Sequence, residues 1–496
     1  MFNHAFGIKG DLFTQIPKHL IIFKMRFFTF FLSVSGLLLT YSFVMAQSPY
    51  ASKILEYHPA PGQYINTAIG GPYAAQSLVG GIRGSLSLGA FGGYVVLGFD
   101  HRIANHPDNP YGVDFTIFGN ASALSAEPAS VYVMRDDNSN GFPDDTWYLL
   151  AGSDYYFSTS DAAYEITYSF AEAGEDVPWS DKLGATGFIW QNDYHTQAYY
   201  PLADSFPAIP QDEYVLSGLK VEARQNSQDE AYLTMNPYPF GFADNNPRVL
   251  SVSHLIPDNP YTTNLEGGGG DAFDISWAVN QNRQAVALDG IDFIRIQTAV
   301  NASAGWLGEL SAEILGVVDV APDASVSGEN LLVVLQPMYR ALEPDQTVQL
   351  QAFVFESGKP HNNPSFVFAS ADETVASVDQ DGRLNSHKTG ETWIFASWNG
   401  SSEYSDSLLL QVKPVLGLAD AVDQSLRLYP NPAVSQVSIQ GDESWEFRSL
   451  TDVWGRSYVL SPLGINSWDV SRLSPGIYWL TLHANNQRVT LQLIKQ

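Results

Sequence analysis

Asp136-Asp137-Asn138-Ser139-Asn140-Gly141-Phe142-Pro143-Asp144-Asp145 carries oxygen-bearing side chains at alternate positions, Asp136, Asn138 and Asn140, ahead of a glycine. Gly141 permits a sharp turn, Phe142 offers its backbone carbonyl, and Asp144 returns at the ninth position of the loop. A hard cation such as Ca²⁺ takes about six to eight oxygens, and alternating Asp and Asn around a glycine turn is how a short stretch supplies them. Asp136, Asn138, Asn140, Phe142 and Asp144 are therefore the expected metal ligands, with Ca²⁺ the expected cofactor. The twelfth position is Trp147, where a helix-flanked calcium loop would carry a bidentate Glu. No helical periodicity flanks the stretch, so a helix-free loop between strands is expected. The competing reading is a solvated Asp/Asn turn closed on its own backbone.

Other candidate chemistry is more diffuse. Glu127, Asp271, Asp274, Glu309 and Glu313 could supply the acid and the nucleophile or base of a glycoside hydrolase. Acidic residues are so abundant that such candidates arise easily. The glycine run Gly267-Gly268-Gly269-Gly270 before Asp271 lacks the helix start and the Lys of a phosphate loop, and reads as a turn feeding an acidic cluster. Asp271 and Asp274 there form a second cation site or cap a turn. The ten histidines are scattered without H-E-x-x-H spacing, and His101 and His106 lack a convincing third ligand. Gly84-Ser85-Leu86-Ser87-Leu88-Gly89 misses the spacing of a nucleophile elbow. Trp179, Trp190, Tyr194, Tyr199, Tyr200 and Trp277 are rings that stack on sugars or pack a core, and packing is the commoner fate.

These residues need a scaffold. A chain of 496 residues is long enough for about three domains. Its 45% hydrophobic content excludes wholesale disorder. A net charge of −28 argues against a nucleic-acid partner, which needs clustered Lys and Arg. Cysteine is absent, which excludes disulfides, thiolate metal sites and thiol nucleophiles. Tyr94–Phe99, Asp114–Phe118, Ser130–Met134, Tyr214–Leu216 and Phe293–Ile296 are short β-branched and apolar runs bounded by turn residues. Sustained helical spacing is missing. The expected fold class is all-β, with a jelly-roll or β-sandwich N-terminal domain. Residues 26–46 read as a signal peptide, with Lys24 and Arg26 at the positive start and Val44-Met45-Ala46 at the cleavage site. Met25 is the more natural start, making residues 1–24 a possible gene-model extension. No other apolar run is long enough to span a bilayer, so no transmembrane segment is expected in the mature chain.

Several phrases belong together: Leu88-Gly89-Ala90-Phe91-Gly92-Gly93-Tyr94, Asp114-Phe115-Thr116-Ile117-Phe118-Gly119-Asn120, Glu127-Pro128 and the acidic loop. Asp176-Val177-Pro178-Trp179, His195-Thr196-Gln197-Ala198-Tyr199-Tyr200-Pro201, Asp271-Ala272-Phe273-Asp274-Ile275-Ser276-Trp277 and Gly308-Glu309-Leu310-Ser311-Ala312-Glu313-Ile314 complete the set. Over residues 55–319 they resemble a family of cell-surface proteins of Bacteroidetes with no settled activity. Some members sit among outer-membrane nutrient-uptake genes, including those for cobalamin. Further on, the stretch from Ala371 through Val378 and Asp381-Gly382 to Leu384 resembles the core of bacterial Ig-like domains of group 2. That resemblance implies a small sandwich acting as a spacer.

At the C-terminus, Leu428-Tyr429-Pro430-Asn431-Pro432, Asp452-Val453-Trp454-Gly455-Arg456 and Leu473-Ser474-Pro475-Gly476-Ile477-Tyr478 follow in order. This resembles the type A sorting domain of the type IX secretion system of Bacteroidetes. The resemblance implies the secretion machinery and its sorting enzyme as partners, and a secreted or outer-surface location. The expected division is a signal peptide at 1–46, a β-rich recognition domain at 47–322, an Ig-like domain at 323–415 and a small β-sandwich sorting domain at 416–496. Residues 414–424 read as a linker. Three functions are compatible with it: calcium-stabilised binding of a glycan or small nutrient, extracellular carboxylate-dependent glycoside hydrolysis, and a structural or adhesive surface role with a possible link to cobalamin uptake.

Overall fold

The β-branched and aromatic runs form strands, and the Gly, Asn, Asp and Pro clusters between them form the turns. A computed structural model describes residues 47–122, 125–192, 194–226, 234–248, 258–264, 267–304, 308–336, 341–413, 428–439, 445–452, 457–484 and 487–496. The signal peptide, the linker at 414–424 and residues 453–456 of the Asp452–Arg456 phrase lie outside the described residues. Among the described residues there is no α-helix, only 3-10 turns such as Pro110–Gly112 and Ile275–Trp277. No helix there is long and apolar enough to cross a membrane.

The chain divides into two units. The first comprises residues up to 336 together with 351–365 and 398–405. Its strands are, in chain order, β1 (Lys53–His58), β2 (Leu86–Ser87), β3 (Tyr94–Ala104), β4 (Phe115–Gly119), β5 (Ala129–Met134) and β6 (Trp147–Leu150). There follow β7 (Asp161–Ser169), β8 (Val177–Asp181), β9 (Thr186–Ile189), β10 (Glu213–Lys220), β11 (Gln225–Asn226) and β12 (Thr234–Met235). Next come β13 (Asp271–Phe273), β14 (Ala278–Val279), β15 (Gly290–Thr298) and β16 (Glu313–Asp319), and the unit also holds strands at Leu331–Gln336, Gln351–Glu356 and Lys359–Pro360.

Two antiparallel sheets carry the candidate chemistry. One has the order β1-β3-β15-β5-β6-β14 and the other β13-β4-β16-β2. Val95 and Leu97 of β3, Val131 and Val133 of β5, and Ile294 and Ile296 of β15 share one core with Phe115 and Ile117 of β4 and Ile314 and Val317 of β16. Alternate residues of each strand face that core, which makes the pair a sandwich. Phe240 and Trp277 close part of it, with ring centroids 5.1 Å apart. A third sheet, β10-β7-β8-β9, holds a second core of Tyr164, Ile166, Tyr168, Tyr214 and Leu216 against Tyr199, Tyr200 and Phe206.

The second unit contains residues 337–350, 366–397 and 406–496. Strands Ala376–Val378 and Arg383–Ser386 pair antiparallel around the expected Asp-Gly turn. Gly382 there has φ +78°, and Asp379 Oδ1 accepts from the amides of Asp381 and Arg383. A left-handed residue is what this turn needs, and glycine supplies it without a Cβ clash. At the C-terminus two four-stranded sheets share a core that includes Val437, Leu450, Trp468, Leu480 and Leu493. All-β architecture thus holds along the described chain.

Candidate functional site

Strand ends of the sandwich converge on an acidic cleft. Its wall is made by Gln63, Tyr64, Asn120, Ser122, Ser125, Glu127, Glu309, Ser311 and Glu313, around a volume of about 290 Å³. The pairing that builds it is β4 against β16, with Ile314 opposite Gly119. This sets Glu313, the first residue of β16, beside Asn120, which follows β4. Asn120 Nδ2 donates to Glu313 Oε2 at 3.2 Å, and Ser311 Oγ donates to Glu313 Oε1 at 2.7 Å. Ser87 Oγ lies 2.7 Å from Ser311 Oγ and holds that hydroxyl in place.

Asp244 arrives from a distant stretch. Residues 243 and 244 run antiparallel to 127–129: Ala243 and Ala129 exchange backbone hydrogen bonds, and the Glu127 amide donates to the Asp244 carbonyl at 2.9 Å. Asp244 Oδ1 accepts from the Ala121 amide at 2.8 Å, and Oδ2 from the Glu313 amide at 2.7 Å. The fit is close, since a Cβ on Gly119 would stand 2.1 Å from Asp244 Oδ1. Glycine at 119 is therefore required by the approach of this carboxylate. Glu309 lies on the segment leading into β16, and its Oε1 accepts from the Gln63 amide at 2.7 Å.

Burial dominates the electrostatics. It pushes the Glu309 carboxyl up to about 8. Burial also pushes Glu127, Asp244 and Glu313 upward, and their mutual repulsion adds to the effect on Glu127 and Asp244. Removing a carboxylate from water disfavours its charged form, and like charges nearby disfavour it further. Glu127 and Glu313 are in side-chain hydrogen-bond contact, which requires a proton on one of them.

The structure thus unites Glu127, Glu309 and Glu313, three of the five acids singled out in the sequence, and separates the other two. Asp271, opposite Ile117 in the β13–β4 pair, accepts from the amides of Asn245 and Asn246 at 3.0 Å each. Asp274 accepts from the Ser276 amide at 2.7 Å and caps the 3-10 turn Ile275–Trp277. Asp114 joins that end by accepting from the amides of His106 and Ile275 and from Asn109 Nδ2. Asp244 escaped sequence reasoning. Its signal was the polar run Asp244-Asn245-Asn246 interrupting apolar Phe240–Ala243.

The acidic loop links β5 and β6 at the surface. Asn138 Nδ2 and Asn140 Nδ2 donate to Asp144 Oδ1 at 3.0 and 3.1 Å. Asp136 accepts from the amides of Asn140 and Gly141, and Asn140 Oδ1 accepts from the Phe142 amide at 2.8 Å. The four oxygen-bearing side chains therefore share one turn. Those hydrogen bonds pull the Asp144 carboxyl below its ordinary value.

Aromatic candidates divide by burial. Tyr199, Tyr200 and Trp277 lie in the cores, Trp179 and Trp190 are half-buried, and Tyr194 is 79% exposed. The ring that reaches the cleft is Tyr64, in edge contact with His195 at 5.0 Å. His101 bridges Asp100 and Asp319 at 2.7 Å each, a structural role.

Residues 427–496 match the family model described as the secretion system C-terminal sorting domain. Residues 333–400 match the bacterial Ig-like domain, group 2. The protein accordingly carries a type IX sorting tail, interacts with the secretion machinery and is delivered to the cell exterior. No curated protein matches the chain. Among solved structures, domains 5–6 of the S-layer protein SbsC are similar at 8% identity and TM-score 0.15, over 33% of this chain and 95% of that one. Extracellular domains 3–5 of Drosophila OTK reach TM-score 0.20 at 10% identity, over 80% and 99%. Likenesses this low carry no argument about function.

The buried acids make stability depend on pH. Burial raises Asp114 to about 7 and Asp274 to about 6. Each folded-state value lies above the unfolded one, so the folded state holds protons that the unfolded state has released. The stability these two groups contribute is therefore full below the ordinary carboxylate value and is lost as pH rises through the folded values. In EDTA, the melting temperature is expected to drop between about pH 4 and about pH 7. Each such group contributes on the order of 2 kcal/mol. Asp274→Asn, which keeps the oxygen that caps Ser276, flattens part of the slope. A melting temperature that is level or rises over this range contradicts the assignment.

Proposed function

We propose that this protein is an exported surface-binding protein whose first unit takes a small hydroxylated ligand, a sugar or comparable nutrient, in the acidic cleft. The observation that carries this reading is the composition of the cleft wall. Carboxylates accept from ligand hydroxyls, while Gln63, Asn120, Ser122, Ser125 and Ser311 both donate and accept. Tyr64 adds an aromatic face of the kind that stacks on a sugar ring. A volume of about 290 Å³ suits one or two sugar rings, at the lower end of ligand pockets. In this reading residues 47–322 recognise the ligand, 323–415 act as an Ig-like spacer, and 416–496 direct export behind a signal peptide at 1–46.

Binding is favoured over glycoside hydrolysis by the spacing of the acids. Glu127, Asp244 and Glu313 each present an oxygen within 4.8 Å of the others. A glycosidase pair stands about 5–5.5 Å apart when retaining and about 6.5–9.5 Å apart when inverting, with the sugar between. Acids whose oxygens lie this close leave no room for the sugar and water of an inverting enzyme.

The test is a glycan and small-metabolite screen on the purified full-length protein, in Ca²⁺ and in EDTA. A saturable hit that Tyr64→Ala weakens at least tenfold is expected. Binding indifferent to Tyr64→Ala, or none by folded protein, contradicts the cleft as the site and favours a structural role for the exported chain.

Calcium in the 136–144 loop belongs to the same proposal. The shared turn of Asp136, Asn138, Asn140 and Asp144 supports it, and the carbonyl of Phe142 would be the fifth ligand. Asp136→Ala with Asp144→Ala is expected to shrink the Ca²⁺-induced rise in melting temperature by several degrees, on the order of 1 kcal/mol. An unchanged rise leaves the loop a solvated turn.

A further inference from the structure

At the floor of the cleft, Glu127, Asp244 and Glu313 come from three stretches of chain and meet within 4.8 Å. None of the Lys or Arg ion pairs among the described residues includes them; those pairs use Asp137, Asp154, Asp161, Asp289 and Asp292 instead. Such a group of buried acids without a cationic partner is costly to hold in its charged form.

A second observation points into the same space. Glu309 is 5% exposed and lines the cleft. Its Oε1 accepts from the Gln63 amide, but its Oε2 is buried and has no hydrogen-bond partner among the described residues. A buried carboxylate oxygen is ordinarily satisfied by a donor, a water or an ion.

We propose that Glu127, Asp244 and Glu313 form a binding site for a hard divalent cation, for which Ca²⁺ is the best fit, with Glu309 lining the same cleft beside them. The donor set decides the class of ion. The cleft wall and Asp244 offer oxygen donors and amide groups, with no His and no Cys, which excludes the softer metals. Ligands on a sphere of about 2.3–2.6 Å radius lie no more than about 5 Å apart, as these oxygens do. Asp244 can ligate while its oxygens accept from the Ala121 and Glu313 amides, and those bonds hold it in orientation. This site is separate from the 136–144 loop and does not depend on a sugar entering the cleft.

The test uses purified full-length protein carrying Asp136→Ala and Asp144→Ala, which removes the loop as a source of binding. After EDTA stripping, calorimetric titration with Ca²⁺ up to about 10 mM spans the affinities of extracellular calcium modules. One saturable equivalent is expected. Glu127→Gln, at the half-buried edge of the cluster, and Glu313→Gln should each weaken it at least tenfold, with folding checked by circular dichroism. Glu127→Gln keeps a hydrogen bond to Glu313 and guards against loss of fold in the deeper variant. Two results overturn the proposal: no saturable binding by the folded loop variant, or binding unchanged in Glu127→Gln.

Discussion

The burial of several carboxylates in a β-sandwich, with none of the Lys or Arg ion pairs among the described residues to answer them, is the constraint on which the first unit depends. Charge in a low-dielectric interior must be neutralised by a proton, by hydrogen bonds or by an ion. Asp271 and Asp274 use backbone amides, as caps do. Glu127 and Glu313 use each other, which needs a proton. Glu309 leaves one oxygen unanswered. Such an arrangement is retained against its cost only if the surrounding packing over-determines it.

That packing is visible. The sandwich core is dense with β-branched and aromatic residues from both sheets, and it holds β4 and β16 in one register. The register in turn sets Asn120, Ser311 and Glu313 at one height, so the acids follow from strand pairing rather than from a local motif. Gly119 lets Asp244 approach where any side chain would collide with it. The cation and sugar proposals meet on this floor, because an ion held by protein oxygens on one side leaves positions open to ligand hydroxyls on the other.

Much of the scaffold was legible in the sequence. The runs at Tyr94, Phe115, Ser130, Tyr214 and Phe293 are strands, since alternation and β-branching are local properties. The Asp-Gly turn and the C-terminal phrases were equally readable, being short and contiguous. The site was legible only in part. Glu127, Glu309 and Glu313 stood out as acids, but their meeting depends on pairings such as Asn120 with Glu313, 193 residues apart, which no window of sequence contains. Asp244 was hidden because it resembles any Asx turn. Tyr199, Tyr200 and Trp277 went to the cores, the commoner fate of such rings, where their burial contributes most.

The central claim, that the buried carboxylate cluster is built around a cation, is tested most directly by diffraction. Crystals of the full-length protein grown in Ca²⁺ would be measured at long wavelength and an anomalous difference map calculated. The expected result is a peak between the carboxylates of Glu127, Asp244 and Glu313. A map empty at that position, with Glu127 and Glu313 still in hydrogen-bond contact and Ca²⁺ in the crystal, would show that a shared proton suffices and contradict the account.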